Sequence, residues 1–589
     1  MKRKAIGLLS ALMATSVILG GCGQEAEKPQ AEGEKKQESG SGESNSDKKE
    51  GSIGLTKTEV IKAKDPSKLP DVAKKRKDTL IVGTQDPKGT FNPIYSDTTY
   101  DSTITDFIFA GLISSDEKGN PIPEIADSWD ISEDGKTYTF KIKPGIKFSN
   151  GEEVKAQDVA FTFTAICDPK YDGARTDAVE KLVGYEEYNK GDAKEVSGIK
   201  VVDDHTISFT LKEVKAPAIY DFGYGIMPKS VYGFEKGNIQ KIKDLFLKPV
   251  GAGPYKFIEF KQGQYVKFEK NENYFKGEPK IPNIIMKVTN AKTVIQELKS
   301  GNVDIDGITP NQQNIELVKS AEFLDAQLYN RNGYNYIGFN TRDPKFEDKR
   351  VRQALTYGLN RQGFIDNFFQ GYAILTNTHA SPVSWAYPDE SKLNPYEFNL
   401  DKAKELLDEA GWKMNESTGI REKDGVPMEI RWMTTADSKY VDNLIPIVKE
   451  NWGTLGIKVV PELMEFSTLT DKVNEKRDFD IYDMSWSMAT DPDPSWVLSK
   501  SQDVPGGFNA VGWHPDKSEE LIKKGIETTD QEERKKIYQE WNELVNDELP
   551  YIFLGSNKSC SVVSSRVKGL ELSAFKGLST QIHEIELVE

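Results

Sequence analysis

A β-hairpin followed by a helix is the feature of this sequence that constrains the fold most, and residues 126–163 predict it. From Tyr138 to Ile142, apolar and polar residues alternate, which is typical of a half-buried antiparallel strand. A turn at 132–135 connects this segment to an earlier strand, and a second turn at 149–151 leads into residues with helical apolar spacing. The stretch therefore predicts a fold that contains both strands and helices.

The order of residues in this stretch resembles the signature of the family 5 extracellular solute-binding proteins. It contains a Trp, an Asp-Gly turn, Tyr-Thr-Phe-Lys, Lys-Phe-Ser-Asn-Gly and a final Asp-Val, and two later segments, Gly251–Tyr255 and Phe346–Leu355, also match the family. Members of the family are the oligopeptide-binding and dipeptide-binding receptors of ABC importers. The resemblance implies an α/β fold of the large periplasmic-binding-protein type, with two lobes, three interleaved domains and a hinge.

The resemblance also implies where the domains begin and end. Because the chain crosses between the lobes more than once, we expect a hinge motion that buries the ligand between them. The predicted segments are residues 78–120, 248–335 and 561–589 for lobe I, residues 121–247 for an accessory second domain, and residues 336–560 for lobe II.

The amino terminus predicts export and lipid anchoring. Lys2–Lys4 is positively charged and Ala5–Leu19 is apolar but too short for a membrane-spanning helix, which indicates a signal peptide over residues 1–21. The sequence Leu-Gly-Gly before Cys22 resembles a bacterial lipobox, so we expect acyl chains on this cysteine to hold the protein at the outer face of the membrane. Residues 22–77 are rich in Glu, Lys, Gly, Ser and Gln and predict a flexible tether.

Composition argues against several functional classes. The chain has 77 Lys and Arg residues against 93 Asp and Glu residues, a net charge of −16, and nucleic acid is therefore not expected as a partner. The sequence lacks HExxH, CxxC and GxSxG motifs, and its four histidines include no close pair. We therefore expect no catalytic residues, no metal site, no cofactor and no enzymatic activity. Cys167 and Cys560 are either a disulfide or two free thiols.

A receptor for peptides of varied sequence must bind what all peptides share, because a buried main-chain amide without a partner costs roughly 1 to 3 kcal/mol. Adding the peptide as a strand to a protein edge satisfies these amides. In the family, this edge lies beside the Trp of the motif Trp-x-x-Asp-Tyr-Pro-Asp-Pro, whose first Asp pairs with the peptide ammonium. Trp486–Pro494 resembles the motif, with one more residue between the Trp and Pro-Asp-Pro.

The resemblance assigns candidate binding residues around this motif. When the motif is aligned on Pro-Asp-Pro, Thr490 occupies the amine-binding position and Asp491 is the nearest carboxylate that could replace the family's Asp. Ser485 and Ser487 flank Trp486 on the predicted strand, where we expect main-chain pairing with the ligand. Further candidates lie elsewhere in the predicted lobe II: Phe466, Trp385, Asn509 and Trp513.

Several alternatives stay open at the level of the sequence. A single Trp or Asn in a strand or loop also fits a role in the protein core. Aromatic residues also suit stacking on sugars, so the ligand is an oligopeptide or else an oligosaccharide or a metal chelate such as one of nickel. An extracellular enzyme or a surface adhesin is the other class. The expected partners are the peptide ligand, the permease subunits of an ABC transporter and the membrane, with the receptor itself a monomer.

Overall fold

The computed structural model describes residues 57–436 and 438–588. The predicted signal peptide, Cys22 and the first part of the predicted tether lie outside these residues.

Strands and helices alternate along the chain. The strands are β1 (Glu59–Ile61), β2 (Thr79–Thr84), β3 (Ile113–Ser115), β4 (Pro121–Pro123), β5 (Ala126–Ile131), β6 (Thr137–Ile142), β7 (Ile199–Asp203), β8 (Thr206–Thr210), β9 (Tyr255–Lys261), β10 (Tyr265–Lys270), β11 (Asn283–Val288), β12 (Ile305–Ile308), β13 (Leu324–Asn330), β14 (Gly333–Phe339), β15 (Ala373–Ile374), β16 (Lys413–Asn415), β17 (Ile420–Lys423), β18 (Val426–Pro427), β19 (Glu429–Thr435), β20 (Lys458–Met464), β21 (Ile481–Ser487), β22 (Tyr551–Ser564), β23 (Val567–Lys568) and β24 (Glu586–Leu587). The helices are α1 (Asp71–Lys74), α2 (Thr99–Ile108), α3 (Ala156–Ile166), α4 (Tyr185–Lys190), α5 (Ala218–Asp221), α6 (Lys229–Tyr232), α7 (Gln240–Asp244), α8 (Val294–Lys299), α9 (Gln312–Lys319), α10 (Lys349–Tyr357), α11 (Arg361–Phe369), α12 (Leu400–Glu409), α13 (Lys439–Thr454), α14 (Phe466–Thr470), α15 (Ser495–Leu498), α16 (Asp516–Glu527), α17 (Gln531–Glu548) and α18 (Leu578–Gln581).

A sheet of 13 strands, counted over the described residues, runs through both lobes, with the main order β20-β19-β21-β14-β22-β12-β2-β11-β10-β9. The 14-residue strand β22 joins the two halves. Its first residues pair with β14 in lobe II, and its later residues pair with β12 and β13 in lobe I. The lobes are therefore connected by β22 and by the short link between β13 and β14.

The hairpin and helix predicted from residues 126–163 are confirmed. Strands β5 and β6 pair in antiparallel register within a four-stranded sheet, and α3 follows. Tyr138 and Phe140 are fully buried, and the Phe140 ring contacts the ring of Phe222 at a centroid distance of 4.9 Å. The buried residues of this sheet and those of the neighbouring part of lobe I form one continuous cluster. The accessory domain thus shares its core with lobe I.

Both faces of the lobe II half of the sheet are covered. Residues of α10, α11, α12 and α13 pack on one face, and an aromatic cluster with residues of α16 and α17 packs on the other. Asp348 and Asp530 cap the amino termini of α10 and α17 by accepting hydrogen bonds from main-chain N–H groups. In the part of the chain that the structure describes, no helix has the length and apolar character needed to cross a bilayer.

The predicted tether extends too far toward the carboxyl terminus. Strand β1 pairs with β13 of lobe I, and Leu69 and Ala73 are buried in the core on that side of the sheet. A few apolar residues in a polar segment are enough to hold it, because they dock on a core that already exists. Strand β1 and the segment around Leu69 and Ala73 are therefore part of the packed fold and not of a flexible tether. Cys167 and Cys560 are both buried free thiols, so the structure contains no disulfide between them.

Candidate functional site

Within the part of the chain that the structure describes, one edge of β21 has no partner strand beside the lobe junction. On one side β21 pairs with β14 along its whole length, but on the other side only Ile481 and Tyr482 pair with β19. Beyond this point β19 continues with β20 instead. Within the described residues, no strand pairs with Asp483–Ser487 on that side. A sheet therefore ends here with main-chain groups that an added strand would satisfy.

The side chains of β21 alternate between the core and this open region. Trp486 is 7% exposed, and its indole ring stacks on Tyr336 with ring centroids 5.8 Å apart and an interplanar angle of 8°. Trp496 and Phe508 contact the same indole edge-on, at 5.3 and 5.8 Å. Ser485 and Ser487 are exposed on the opposite face of the strand. Trp486 thus anchors a rigid strand whose edge stays free.

The expectation that Asp491 pairs with a peptide ammonium is corrected by the structure. Both carboxylate oxygens of Asp491 accept hydrogen bonds from Arg534, each at 2.8 Å, and both side chains are buried. The main-chain N–H of Asp493 donates to the same carboxylate at 3.0 Å. Arg534 lies on α17, far from the motif in the sequence. The motif alone could therefore not predict this ion pair. Asp491 belongs to the protein's own ion pair.

Thr490 and Trp385 lie where lobe II meets lobe I and the accessory domain. Thr490 packs against Gly119, and the Trp385 ring lies 5.4 Å from the Arg534 guanidinium. In the same junction, Gln531 Nε2 donates to Asn120 Oδ1 at 2.7 Å. The structure therefore has the lobes in contact beside the candidate site.

Asn509 and Trp513 both pack within the protein, and their assignment as binding residues stays a prediction. The Asn509 amide nitrogen donates to the carbonyl oxygens of Leu498, Ser499 and Trp513, at 3.0 to 3.3 Å. Its carbonyl oxygen accepts from Gly512 N–H at 3.0 Å. The Trp513 ring is buried against Trp541, with centroids 6.3 Å apart. These two side chains hold a loop and fill a core.

Phe466 begins α14, is half-buried and packs on the edge of the aromatic cluster. Its place is compatible with a role at the cleft, and this role stays a prediction.

Three functional groups that the sequence analysis missed lie beside the free edge. Asp483 Oδ1 accepts a hydrogen bond from Trp432 Nε1 at 2.9 Å, and burial raises the pKa of Asp483 to about 6. Tyr440 OH and Arg331 Nε are buried, and neither has a hydrogen-bond partner among residues 57–436 and 438–588. No sequence signal could have found them, since the lack of a partner is a property of the folded chain.

Charged groups of lobe I and the accessory domain form a second polar region. The Asp106 carboxylate is exposed, yet desolvation by the surrounding protein raises its pKa to about 6, with Arg175 acting in the opposite direction. Burial likewise raises the pKa of Asp221 to about 6, although Lys215 lies 2.8 Å from its carboxylate. An exposed but desolvated carboxylate is typical of a wall of a deep cleft.

No metal centre is formed by the described part of the chain, where no three His, Cys, Asp or Glu side chains are grouped suitably. A surface depression of about 480 Å³ is lined by polar residues near α9, including Asn311 and Gln370, and by none of the predicted site residues. The free edge of β21 is therefore the feature that defines the candidate site.

The fold and the site define a two-lobed solute-binding receptor, and the comparisons agree. The structure is similar to that of AppA from Bacillus subtilis in complex with a nonapeptide, with a TM-score of 0.67 and 29% identity over 87% of this chain and 99% of that one. It is also similar to NikZ from Campylobacter jejuni in complex with Ni(L-His), with a TM-score of 0.69 and 26% identity over 87% and 99% of the two chains.

The chain belongs to the bacterial extracellular solute-binding proteins, family 5, whose model, described as "family 5 Middle", matches residues 120–507. It is 30% identical to the oligopeptide-binding protein AppA of Bacillus subtilis over 486 residues, which are 81% of this chain and 85% of that protein. The protein is accordingly a binding protein and not an enzyme, and the α/β, two-lobed fold expected from the sequence is confirmed.

Proposed function

We propose that this protein captures extended oligopeptides by adding the peptide main chain as a strand to the free edge of β21 at Asp483–Ser487. The observation that carries the proposal is the departure of β19 from β21 after Tyr482, which leaves this edge unpaired while β14 fixes the other side. Main-chain recognition suits peptides of varied sequence, because it satisfies amides that are common to all of them. The name of the relative AppA supports the same class of ligand.

We further propose that the receptor is held at the outer face of the membrane by lipid on Cys22 and delivers its ligand to the permease of an ABC transporter as a monomer. The proposed domains are those expected from the sequence, with residues 57–77 added to lobe I. The hinge lies at β22 and at the link between β13 and β14, because these two connections pass between the lobe halves of the sheet.

Selective methylation of a peptide main chain tests the proposal. A nonapeptide that binds is first found by screening a pooled library. It is then synthesised in two forms, with N-methyl groups on the alternate residues whose N–H groups point to one edge of the extended peptide or to the other edge. Binding of each form is measured by calorimetry and tryptophan fluorescence. One form should lose at least tenfold in affinity and the other far less, because an added strand presents only one edge to β21. Equal losses for both forms, or no binding by any library peptide, would overturn the proposal.

A metal chelate is the second candidate, and the similarity to NikZ in complex with Ni(L-His) favours it. A chelate brings its own ligands, so it does not require a cluster of metal-binding side chains. Titration with Ni²⁺ and L-histidine together, and with each alone, separates the two candidates. Micromolar binding of the mixture with no binding of peptide would replace the peptide proposal.

A further inference from the structure

Arg331 is half-buried, and it differs from the buried arginines in the number of partners that the protein provides. The terminal nitrogens of Arg361 donate to five acceptors, and the guanidinium of Arg352 makes six such contacts. Among the described residues, Arg331 contacts only Asn335 Oδ1, at the long distance of 3.5 Å, and has no carboxylate within ion-pair distance. The fold thus leaves the buried Nε–H of this guanidinium without an acceptor in the described chain.

A buried Nε–H without an acceptor needs an explanation, because a buried donor is normally paired and an arginine cannot lose its proton to avoid the cost. Desolvation lowers the pKa of Arg331, and Tyr440 acts in the opposite direction. The structure therefore holds a positive charge in place with unused hydrogen-bond donors.

Tyr440 provides a second unused donor at the same place. It lies in the first turn of α13, and its ring packs against Phe364, Phe368 and Phe369 with centroids 5.2 to 6.1 Å away. Its buried hydroxyl has no hydrogen-bond partner in the described chain, and it interacts electrostatically with Arg331. The aromatic packing fixes the direction of this hydroxyl, so the donor is held in position.

This pair of donors lies next to the free edge of β21. Asn335, the one contact of the Arg331 guanidinium in the described chain, is directly opposite Ser485 in the β14–β21 register. The Ser485 hydroxyl donates to the Asn335 side-chain oxygen. A guest strand paired with β21 would therefore pass within side-chain reach of Arg331 and Tyr440.

We propose that Arg331 and Tyr440 form a subsite for a carboxylate of the bound guest. A guanidinium offers N–H donors and no acceptor, a phenol hydroxyl can donate its O–H to an anion, and a planar carboxylate can accept two hydrogen bonds from an arginine. The inference rests on the proposed function, since it requires a guest at the β21 edge. The carboxylate is that of the peptide terminus or of an acidic side chain, which share the same chemistry.

Asp483 limits which groups can enter. Its carboxylate is held by Trp432 Nε1 and interacts electrostatically with Tyr440. A guest carboxylate would have to bind on the Arg331 side of the Tyr440 hydroxyl to avoid repulsion from Asp483. This placement would leave the Arg331 guanidinium as its main partner.

Charge-matched peptides on matched variants test the subsite. The probes are alanine nonapeptides as free acids and as carboxyl-terminal amides, and amides in which one glutamate or one glutamine is moved along the chain. The variants are Arg331→Met, Arg331→Lys and Tyr440→Phe, with Arg350→Met as a matched control, because Arg350 is exposed and pairs with Asp348. Thermal unfolding of each variant establishes that it is folded.

The expected result is charge-specific. Arg331→Met should weaken binding of the carboxylate-bearing probe at least tenfold and change the affinity for the neutral probe less than twofold. Tyr440→Phe should weaken binding of the carboxylate-bearing probe about threefold. Arg331→Lys should retain part of the preference for the carboxylate-bearing probe. The free acid identifies a peptide terminus as the source, and a position-dependent glutamate effect identifies a side chain. Equal loss for charged and neutral probes would overturn the subsite alone. Absence of any binding by the unaltered protein would overturn peptide capture and the subsite together.

Discussion

Arg534 is buried and Arg331 is half-buried, and the described chain provides their guanidinium groups with very different numbers of partners. Arg534 makes a two-pronged ion pair with Asp491, donates to the Gly525 carbonyl at 2.9 Å and lies against the rings of Trp385 and Tyr538. Arg331 has no carboxylate partner in the described chain. The first guanidinium is used entirely within the protein, and the second keeps its donors for a guest.

This difference shows why charge near a cleft is a poor guide to binding. Asp491 stands close to the position that resembles the family's amine-binding Asp, yet its carboxylate serves Arg534. A side chain whose partners are all in the protein fixes the fold, and binding one more ion there would require breaking an existing pair. The number of unused donors and acceptors separates the two roles better than position does.

The largest expected effect comes from breaking the satisfied pair. Arg534→Met should lower the free energy of unfolding by about 3 to 5 kcal/mol, because it leaves the buried Asp491 carboxylate without its positively charged partner. Urea unfolding at pH 7 measures the loss. The double variant Asp491→Asn, Arg534→Met should recover part of it, since no isolated charge remains.

The matched control is Arg350→Met, whose exposed pair with Asp348 should contribute less than 1 kcal/mol. If Arg534→Met and Arg350→Met were equally harmless, the Asp491–Arg534 pair would not be the structural element described above.

The same contrast explains what the sequence could predict. The hairpin at 126–142 and strand β21 follow from local alternation of apolar and polar residues, and the motif around Trp486 begins on β21 as expected. The partners of Asp491 and Asn509 could not be deduced, because they are set by how α17 and a loop pack in three dimensions.

Arg331 shows the limit most clearly. Its sequence neighbours carry no motif, and its interest depends on the absence of a partner, which exists only after folding. The docking of β1 and of the segment around Leu69 and Ala73 was missed for a related reason, since their few apolar residues gain burial only from a surface that the rest of the fold provides.

The second-largest expected effect is a pH-dependent gain in stability when Asp483 is replaced by Asn. The folded protein raises the pKa of Asp483 from 3.8 to about 6, so it favours the protonated form relative to the unfolded chain. Below about pH 4 the Asp483 carboxyl group does not lower the free energy of unfolding. The free energy of unfolding falls as the pH rises through about 6. Asp483→Asn keeps an acceptor for Trp432 Nε1 and should be more stable than the unaltered protein by up to about 3 kcal/mol at pH 8.

Urea unfolding of both proteins from pH 4 to pH 8 isolates this carboxylate, since Asp106 and Asp221 titrate in both. The difference in stability should be near zero at pH 4 and reach its maximum above pH 7. A difference that did not change with pH would mean that burial does not perturb Asp483.

The third effect concerns a side chain that the sequence placed in the binding site. Asn509→Ala should lower the free energy of unfolding by about 2 kcal/mol, because it leaves the carbonyl oxygens of Leu498, Ser499 and Trp513 without their donor. Peptide affinity, measured by calorimetry well below the unfolding temperature, should change less than twofold. A large loss of affinity at unchanged stability would place Asn509 among the binding residues.

The smallest effect on stability is expected at Arg331, and it completes the comparison. Arg331→Met removes a half-buried charge that makes one long hydrogen bond in the described chain, so the free energy of unfolding of the ligand-free protein should change by less than about 1 kcal/mol. The effect should appear only when a carboxylate-bearing peptide is added. Ligand at 100 times its dissociation constant stabilises a protein by about 2.7 kcal/mol, and a tenfold weaker variant at the same concentration gains about 1.4 kcal/mol. Thermal unfolding with and without peptide therefore distinguishes an arginine held for a guest from one held for the fold, and a loss of 3 kcal/mol or more without peptide would place Arg331 with Arg534.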